Sequence, residues 1–218
     1  MSKENKTTKS QRIRQATLGD VDKLISICQS SFPDALRWQG PRFLVRIWWN
    51  KELISTFSET WVCLSDSKVV GFFILVTDVA EYSKESRKRN HSIFAKLFTF
   101  VACPRISIAK LLWKICWHKN TSGCAISRVD SDVSMDKITW IESLAVLPEM
   151  RGQGLAMKML EFCKKRTLEL RRQVVKLRVD VNNIAALNLY EKTGFASMCR
   201  PSTNSISYAY VLSAGSNQ

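Results

Sequence analysis

The chain has 218 residues, 45% of them hydrophobic and 24% charged, which is enough for one domain with a sizeable core. No stretch approaches the ~20 consecutive apolar residues of a transmembrane helix, and the polar residues 1–11 are unlike a secretory signal. The net charge of +14 predicts an anionic partner: a polyphosphate ligand, an anionic membrane surface or nucleic acid.

The cysteines and histidines do not form a recognisable framework. Seven cysteines are scattered without CxxC spacing, and the two histidines, His91 and His118, have no neighbouring set of ligands. The sequence therefore predicts reduced thiols, no bound metal and a cytoplasmic location.

The first part of the chain predicts the order strand, helix, helix, strand, strand. After a tail of disordered composition at 1–10, residues 12–16 are predicted as a strand, and Thr17 and Asp20 have the spacing of a capping box. Two strands are expected around the turn at 65–68. The residues that recur at helical spacing, and that we expect to face the core, are Leu18, Val21, Leu24, Ile25 and Cys28 in the first helix and Phe43, Leu44, Ile47 and Trp48 in the second.

A basic and apolar insertion is predicted at about 83–122. Residues 84–119 hold nine Lys and Arg against one Glu, and Trp113 and Trp117 stand four apart among lysines. This composition suits a helix lying in an anionic membrane interface, and it suits equally a helical hairpin packed over the sheet as a cover. Nucleic acid is the weaker interpretation, because the segment is too apolar for a surface that only follows phosphates.

The second part of the chain predicts alternating strands and helices within a single domain at 11–214. A strand is expected at 137–146, a helix from Leu155 and a strand at 174–179. A further helix should run to Lys192 and end at Gly194, before closing antiparallel strands at 195–200 and 205–212.

The stretch 146–156, VLPEMRGQGLA, organises the rest of the chain. A strand, a tight turn and a helix start in this order bring several backbone N–H groups and the positive end of a helix dipole to one point, which favours an anion such as phosphate. Gly152 and Gly154 allow a close approach of the backbone, and Arg151 adds a charge. Taken alone, the turn fits an ordinary strand–helix connection equally well.

Two motifs are similar to those of the GNAT superfamily of acyl-CoA-dependent acetyltransferases. The first, [QR]-x-x-G-x-[GA], falls on Arg151, Gly154 and Ala156. The second, N-x-x-A-x-x-L-Y-x-x-x-G-F, falls on Asn183, Ala186, Leu189, Tyr190, Gly194 and Phe195. They follow in the family order, so the resemblance covers about 138–195.

The resemblance implies an α/β (α+β) GNAT fold. Such a fold has a central mixed, mostly antiparallel twisted sheet of six to seven strands flanked by helices, here with a helical insertion after the third strand. It also implies acetyl-CoA as the acyl donor. The implied cofactor-binding residues are Leu144, Ala145 and Val146 along the pantetheine arm, Arg151, Gly152, Gln153, Gly154, Leu155 and Ala156 around the pyrophosphate, and Asn183 on the arm.

The family pattern also implies catalytic residues. Tyr190 matches the tyrosine that protonates the departing thiolate, although a tyrosine on a helix can also be a simple core residue. Glu142 is a candidate general base. Strict alternation puts Glu142 on the same side as Leu144 and Val146 unless a bulge intervenes. A carboxylate that only orients substrate or faces solvent, with water as the base, is the alternative.

A narrower resemblance concerns the acceptor. The SFP element at 31–33, the G-x-R-F-L element at Gly40, Arg42, Phe43 and Leu44, and the insertion resemble a GNAT subgroup found among bacterial surface-polysaccharide biosynthesis proteins. This implies acetylation of a primary amine on a small molecule such as an amino-sugar precursor, at the inner membrane face if the insertion docks on lipid. A protein N-terminal or lysine acetyltransferase, and a non-catalytic acyl-CoA-binding or membrane-docking module, are the alternatives.

Overall fold

The computed structural model describes residues 10–33, 35–89, 133–198 and 204–212, with backbone only at 36 and 37. One sheet of seven strands organises them, in the order β1-β2-β3-β4-β5-β7-β6. The strands are β1 Gln11–Gln15, β2 Ser58–Ser65, β3 Lys68–Val76, β4 Ile138–Val146, β5 Val174–Asp180, β6 Ala196–Ser197 and β7 Ser205–Val211. Within the described ranges, β4 and β5 are the one parallel pair of neighbours.

Helices cover both faces of this sheet. They are α1 Val21–Ser31, α2 Leu36–Gln39, α3 Arg42–Leu53, α4 at 79–89, α5 Leu155–Glu169 and α6 Ile184–Lys192. Single helical turns precede α1, β4 and α5 at Leu18–Asp20, Met135–Lys137 and Pro148–Met150. Within the described ranges the predicted strands and helices occur in the predicted order, with bounds within a few residues, and the short helix α2 was not predicted.

The insertion is described only where it begins. α4 starts at 79, four residues before the predicted start at 83, and its described turns end at 89. Residues 90–132 lie outside the described part of the chain, and so do 1–9 and 199–203. The predicted helix around Trp113 and Trp117 and its docking on an anionic membrane therefore stay predictions.

The chain enters α1 through a charged cap. The N–H of Thr17 donates to the Asp20 carboxylate at 2.8 Å, as the predicted capping box requires. The guanidinium of Arg14 binds the same carboxylate at 2.7 and 2.8 Å. These hydrogen bonds, that of Arg14 above all, lower the pKa of Asp20 to about 2, so the cap stays ionised at neutral pH.

One face of the sheet is covered by α1 and α3. In α1 the predicted apolar face is confirmed for four of its residues, Val21, Leu24, Ile25 and Cys28. Leu18 is 59% exposed, because it lies in the single turn before α1 and not on the helix. The prediction that Leu18 belongs to the core was wrong.

The buried face of α3 differs from the predicted one. Val45, Trp49 and Glu52 are buried, whereas Phe43 is 58% exposed. The Trp49 ring packs against Phe72 of β3, with 5.1 Å between ring centroids. The buried stripe is therefore offset by about one residue from the predicted stripe, because packing against Phe72 selects between the two.

The other face of the sheet is covered by α5 and α6. α5 buries Leu155, Met159, Leu160 and Cys163. These side chains form one apolar cluster with Val175 and other residues of β5 and β7. The sheet therefore has an α1/α3 face and an α5/α6 face, and the central strands β3, β4 and β5 are covered on both.

Gly71 of β3 allows β4 to approach closely. A Cβ at this position would lie 2.7 Å from the backbone carbonyl oxygen of Ala145 and 2.6 Å from Cε of Met159. The methionine can move, but the carbonyl belongs to the hydrogen-bonded β3–β4 pair. A side chain at 71 would therefore displace β4.

We predict that Gly71→Ala destabilises the fold by about 1–3 kcal/mol, since overpacking forces a shift of the backbone. Gly40→Ala is the matched control, because a Cβ at Gly40 meets nothing within 4 Å. Thermal unfolding of both variants measures the difference. Equal melting temperatures would show that β3 and β4 are not held at this spacing.

Candidate active site

A gap opens in the sheet where β4 and β5 part. The two strands pair from Ile138 opposite Val174 to Ile141 opposite Leu177. Beyond that point β4 stays on β3 up to Val146, opposite Gly71, while β5 stays on β7. The stretch 142–146 therefore has an edge that β5 does not cover, and such an edge can pair with another extended chain. The predicted residues Leu144, Ala145 and Val146 all lie on it.

After this strand edge, the chain enters the turn that contains Gly152 and Gly154. Gly152 and Gly154 both have φ of 75°, and a Cβ on either would meet nothing within 4 Å, so backbone conformation and not space selects glycine here. After Arg151, the next residue whose N–H donates to a backbone carbonyl is Lys158, which binds the carbonyl oxygen of Gly154 at 3.1 Å. In the described ranges, the N–H groups of 152–157 donate to no backbone carbonyl. Because they lie at the positive end of α5, these N–H groups favour an anion, and 152–157 is the predicted anion-binding turn.

Arg151 connects the turn to the open edge. Its Nε donates to the carbonyl oxygen of Val146 at 3.2 Å, and the residue is exposed. The guanidinium thus lies at the point where the strand edge passes into the anion-binding turn. The predicted residues from Arg151 to Ala156 therefore all lie in this turn and in the first residues of α5.

Tyr190 lies on α6 in the core that covers the α5/α6 face. Its side chain is 8% exposed, and its ring lies 5.9 Å from those of Phe195 and Tyr208. Burial raises the pKa of Tyr190 to about 12, so the phenol keeps its proton at neutral pH. Tyr190 is therefore both a core residue and a group able to donate a proton.

Asn183 caps the helix that carries Tyr190. Its Oδ1 accepts a hydrogen bond from the N–H of Ala186 at 3.2 Å, as a cap residue should. The side chain is exposed. The cap occupies the carbonyl oxygen, which leaves the NH2 group of the amide as the part that could donate to a ligand.

A bulge decides the facing of Glu142. Ile74 is opposite Ser143 and Leu75 is opposite Ile141, so Glu142 is the extra residue on β4. Ile141 and Leu144 both pack with the α5 cluster although they are three residues apart. Glu142 therefore faces away from α5, and the bulge overrides the alternation that would place it beside Leu144 and Val146. Its charge acts on Tyr82 of α4, on that opposite face.

A buried polar cluster beside Glu142 escaped the sequence analysis. Arg89 of α4 forms an ion pair with Glu52 of α3 at 2.7 Å, with the two side chains 3% and 0% exposed. Tyr82 donates to Glu52 at 3.0 Å, and Ser58 donates to it at 2.6 Å. Burial, then the charges of Glu52 and Glu142, hold the pKa of Tyr82 well above its usual range. The sequence feature that could have revealed this cluster is Glu52, an acidic residue seven positions after Val45 on an otherwise apolar helix face.

Two basic residues in a central strand also escaped notice. Lys176 of β5 is 2% exposed, and the guanidinium carbon of Arg178 lies 5.9 Å from the centre of the Trp140 ring. The signal was a pair of cations at alternate positions in a strand whose other residues are Val and Leu.

In the described ranges, no three or more His, Cys, Asp or Glu side chains are grouped to hold a metal ion. None of the helices in the described part of the chain is long and apolar enough to cross a membrane.

Comparison with a family model decides the relationship. The model described as "Acetyltransferase (GNAT) family" matches residues 21–195. The chain belongs to this family. The match spans both the anion-binding turn and the helix of Tyr190.

Two curated relatives match parts of this GNAT chain. Streptothricin acetyltransferase from Escherichia coli is 31% identical over 70 residues, which are 32% of this chain and 40% of that protein. N-alpha-acetyltransferase 30 from Saccharomyces cerevisiae is 35% identical over 78 residues, which are 36% and 44% of the two chains. The chain thus spans less than half the length of each relative.

A solved structure shows the same fold. The PaiA N-acetyltransferase of Thermoplasma acidophilum, in complex with coenzyme A, superposes with a TM-score of 0.57 at 12% identity. The match covers 93% of this chain and 99% of that one. The predicted GNAT fold, a mixed sheet flanked by helices, is confirmed.

Proposed function

We propose that this protein is an acetyl-CoA-dependent N-acetyltransferase acting on the primary amine of a small molecule such as an amino-sugar precursor. The observation that carries the proposal is the open edge of β4 at 142–146, which runs directly into an anion-binding turn at 152–157. A thioester of coenzyme A has the matching shape, an extended amide-containing arm that ends in a pyrophosphate.

The donor side follows from this match. The N–H groups of the turn and the dipole of α5 bind the pyrophosphate, and Arg151 adds a charge-assisted hydrogen bond. The arm pairs with the edge at Leu144–Val146 and receives a hydrogen bond from Asn183. Backbone N–H groups of the same edge polarise the thioester carbonyl and stabilise the negative charge that develops on its oxygen.

The transfer itself needs two proton movements. The amine nitrogen attacks the carbonyl carbon, the new C–N bond forms, and the C–S bond breaks. Glu142, directly or through water, takes the proton that the amine loses, and Tyr190 gives its proton to the departing thiolate. The raised pKa of Tyr190 suits this role, because only a protonated phenol can act as the acid.

The second candidate acceptor is a protein N terminus. It is favoured by the similarity to a relative named as an N-alpha-acetyltransferase. A screen of amino sugars, other amines and short peptides for thiol release from acetyl-CoA separates the two acceptors. Acetylation of peptides alone would overturn the small-molecule proposal.

Tyr190→Phe should lower kcat by roughly 10²-fold and leave the affinity for acetyl-CoA nearly unchanged, because it removes only the general acid. Tyr208→Phe is the matched control, since this neighbouring phenol donates to Glu191 at 3.0 Å. Steady-state thiol release measures both variants. A wild-type rate in Tyr190→Phe would exclude the tyrosine from the mechanism.

Glu142→Gln should lower kcat at neutral pH, and the loss should diminish as the pH approaches the pKa of the acceptor amine. The reason is that an amine which is already deprotonated needs no base. The pH–rate profile of the variant tests this. A loss that is the same at every pH would make Glu142 a residue that orients substrate.

A further inference from the structure

A lysine is buried between the two helices that the proposed reaction uses. Lys164 lies on α5, the helix that begins at the predicted anion-binding turn, and its side chain is 10% exposed. Its ammonium donates to the carbonyl oxygen of Thr193, the residue that caps the C-terminal end of α6, at 2.5 Å. Removing an ammonium from water is costly, so lysines are rarely buried without such partners. Lys164 therefore joins α5 to the end of the helix that carries Tyr190.

Two aromatic rings contact the same ammonium. Nζ of Lys164 lies 4.0 Å from the centre of the Tyr210 ring and 5.6 Å from that of Phe195. Both distances are within the range of a cation–π attraction, which is stronger where water is excluded. The Phe195 ring in turn lies 5.9 Å from the ring of Tyr190. One aromatic ring thus connects the ammonium to the proposed acid.

The last turn of α6 is tied to the same point. The N–H and the Oγ1 of Thr193 donate to the carbonyl oxygen of Tyr190 at 3.1 and 3.0 Å, and the N–H of Phe195 donates to it at 2.9 Å. The C-terminal end of a helix is the negative end of its dipole, so a cation there is stabilising. The backbone of Tyr190 and the ammonium of Lys164 therefore belong to one network of hydrogen bonds through Thr193.

We propose that Lys164 is a positioning residue for Tyr190, and that its ammonium sets the placement of the phenol relative to α5. The inference rests on the proposed function. If the pyrophosphate binds at the N terminus of α5 and the acid lies on α6, the placement of one helix against the other sets the distance from the phenol to the departing sulfur. A misplacement of about 1 Å can cost a large factor in rate. The ion pair of Lys164 with Glu161, at 2.8 Å, contributes little, because Glu161 is 59% exposed.

Lys164→Met is the first variant, because methionine keeps most of the apolar stem and removes the ammonium. We expect kcat for thiol release to fall roughly 10-fold and the Kd of acetyl-CoA to stay within about twofold, since the acid is displaced while the turn is unaltered. Lys164→Arg keeps a cation that stacks on aromatic rings and should restore part of the loss. The matched control is Lys165→Met, which removes the exposed neighbouring lysine of the same helix.

A purely structural role would also lower kcat, so the double variant is decisive. If Lys164 acts through Tyr190, Lys164→Met should have no further effect on kcat in the Tyr190→Phe background, where the acid is already absent. A loss of the same factor in both backgrounds would show that Lys164 serves the fold alone, and it would overturn the inference. Melting temperatures show whether each variant is folded. If Lys164→Met does not fold, Lys164→Gln, which keeps a hydrogen-bond donor without the charge, takes its place.

The NMR signal of the Tyr190 ring separates this inference from the proposed function. The chain has four tyrosines, so the signal is identified by its loss in Tyr190→Phe. Lys164→Met should shift or broaden it and Lys165→Met should leave it unchanged, whether or not an acceptor is acetylated. An unchanged signal, or a wild-type kcat in Lys164→Met, would overturn the positioning role and leave the enzyme intact. A shifted signal with a wild-type kcat in Tyr190→Phe would keep the link between the two side chains and remove the acid role from the proposed function.

Discussion

The parting of β4 and β5 is the constraint on which the rest of the site depends. While the two strands pair, from Ile138 to Ile141, the sheet is closed and offers no backbone group to a ligand. Once they part, the described strands pair with β4 on one side only, at β3. The open strand edge, the predicted anion-binding turn that follows it and the helix dipole of α5 then lie in one line, and this arrangement matches the shape of an extended thioester ending in a pyrophosphate.

Several neighbouring features serve this geometry. Gly71 lets β3 support β4 where β5 no longer does. The bulge at Glu142 turns the carboxylate away from α5, so that the groups proposed to act on the acyl donor and those proposed to act on the acceptor lie on opposite faces of one strand. The ion pair of Glu52 and Arg89 ties α4 to α3 beside that carboxylate. A single strand thereby separates the proposed proton donor, Tyr190, from the proposed base, Glu142.

The features that were predictable from sequence are local ones. Periodic apolar residues fixed the helices, and glycines at 152 and 154 marked the turn whose positive φ angles only glycine adopts readily. What could not be predicted depends on contacts between distant segments. The buried face of α3 is chosen by Phe72, the facing of Glu142 by its register with β3, and the partner of Glu52 lies 37 positions away, at Arg89.

Calorimetric titration with acetyl-CoA tests the central claim most directly, with the wild type, Gly154→Glu and the control Gly40→Glu side by side. We predict micromolar binding to the wild type and the control. Binding should be lost in Gly154→Glu, because a carboxylate would repel the pyrophosphate and a side chain is strained at φ of 75°. Equal affinity of all three proteins, or no binding to the wild type, would mean that the turn connects a strand to a helix and does nothing more.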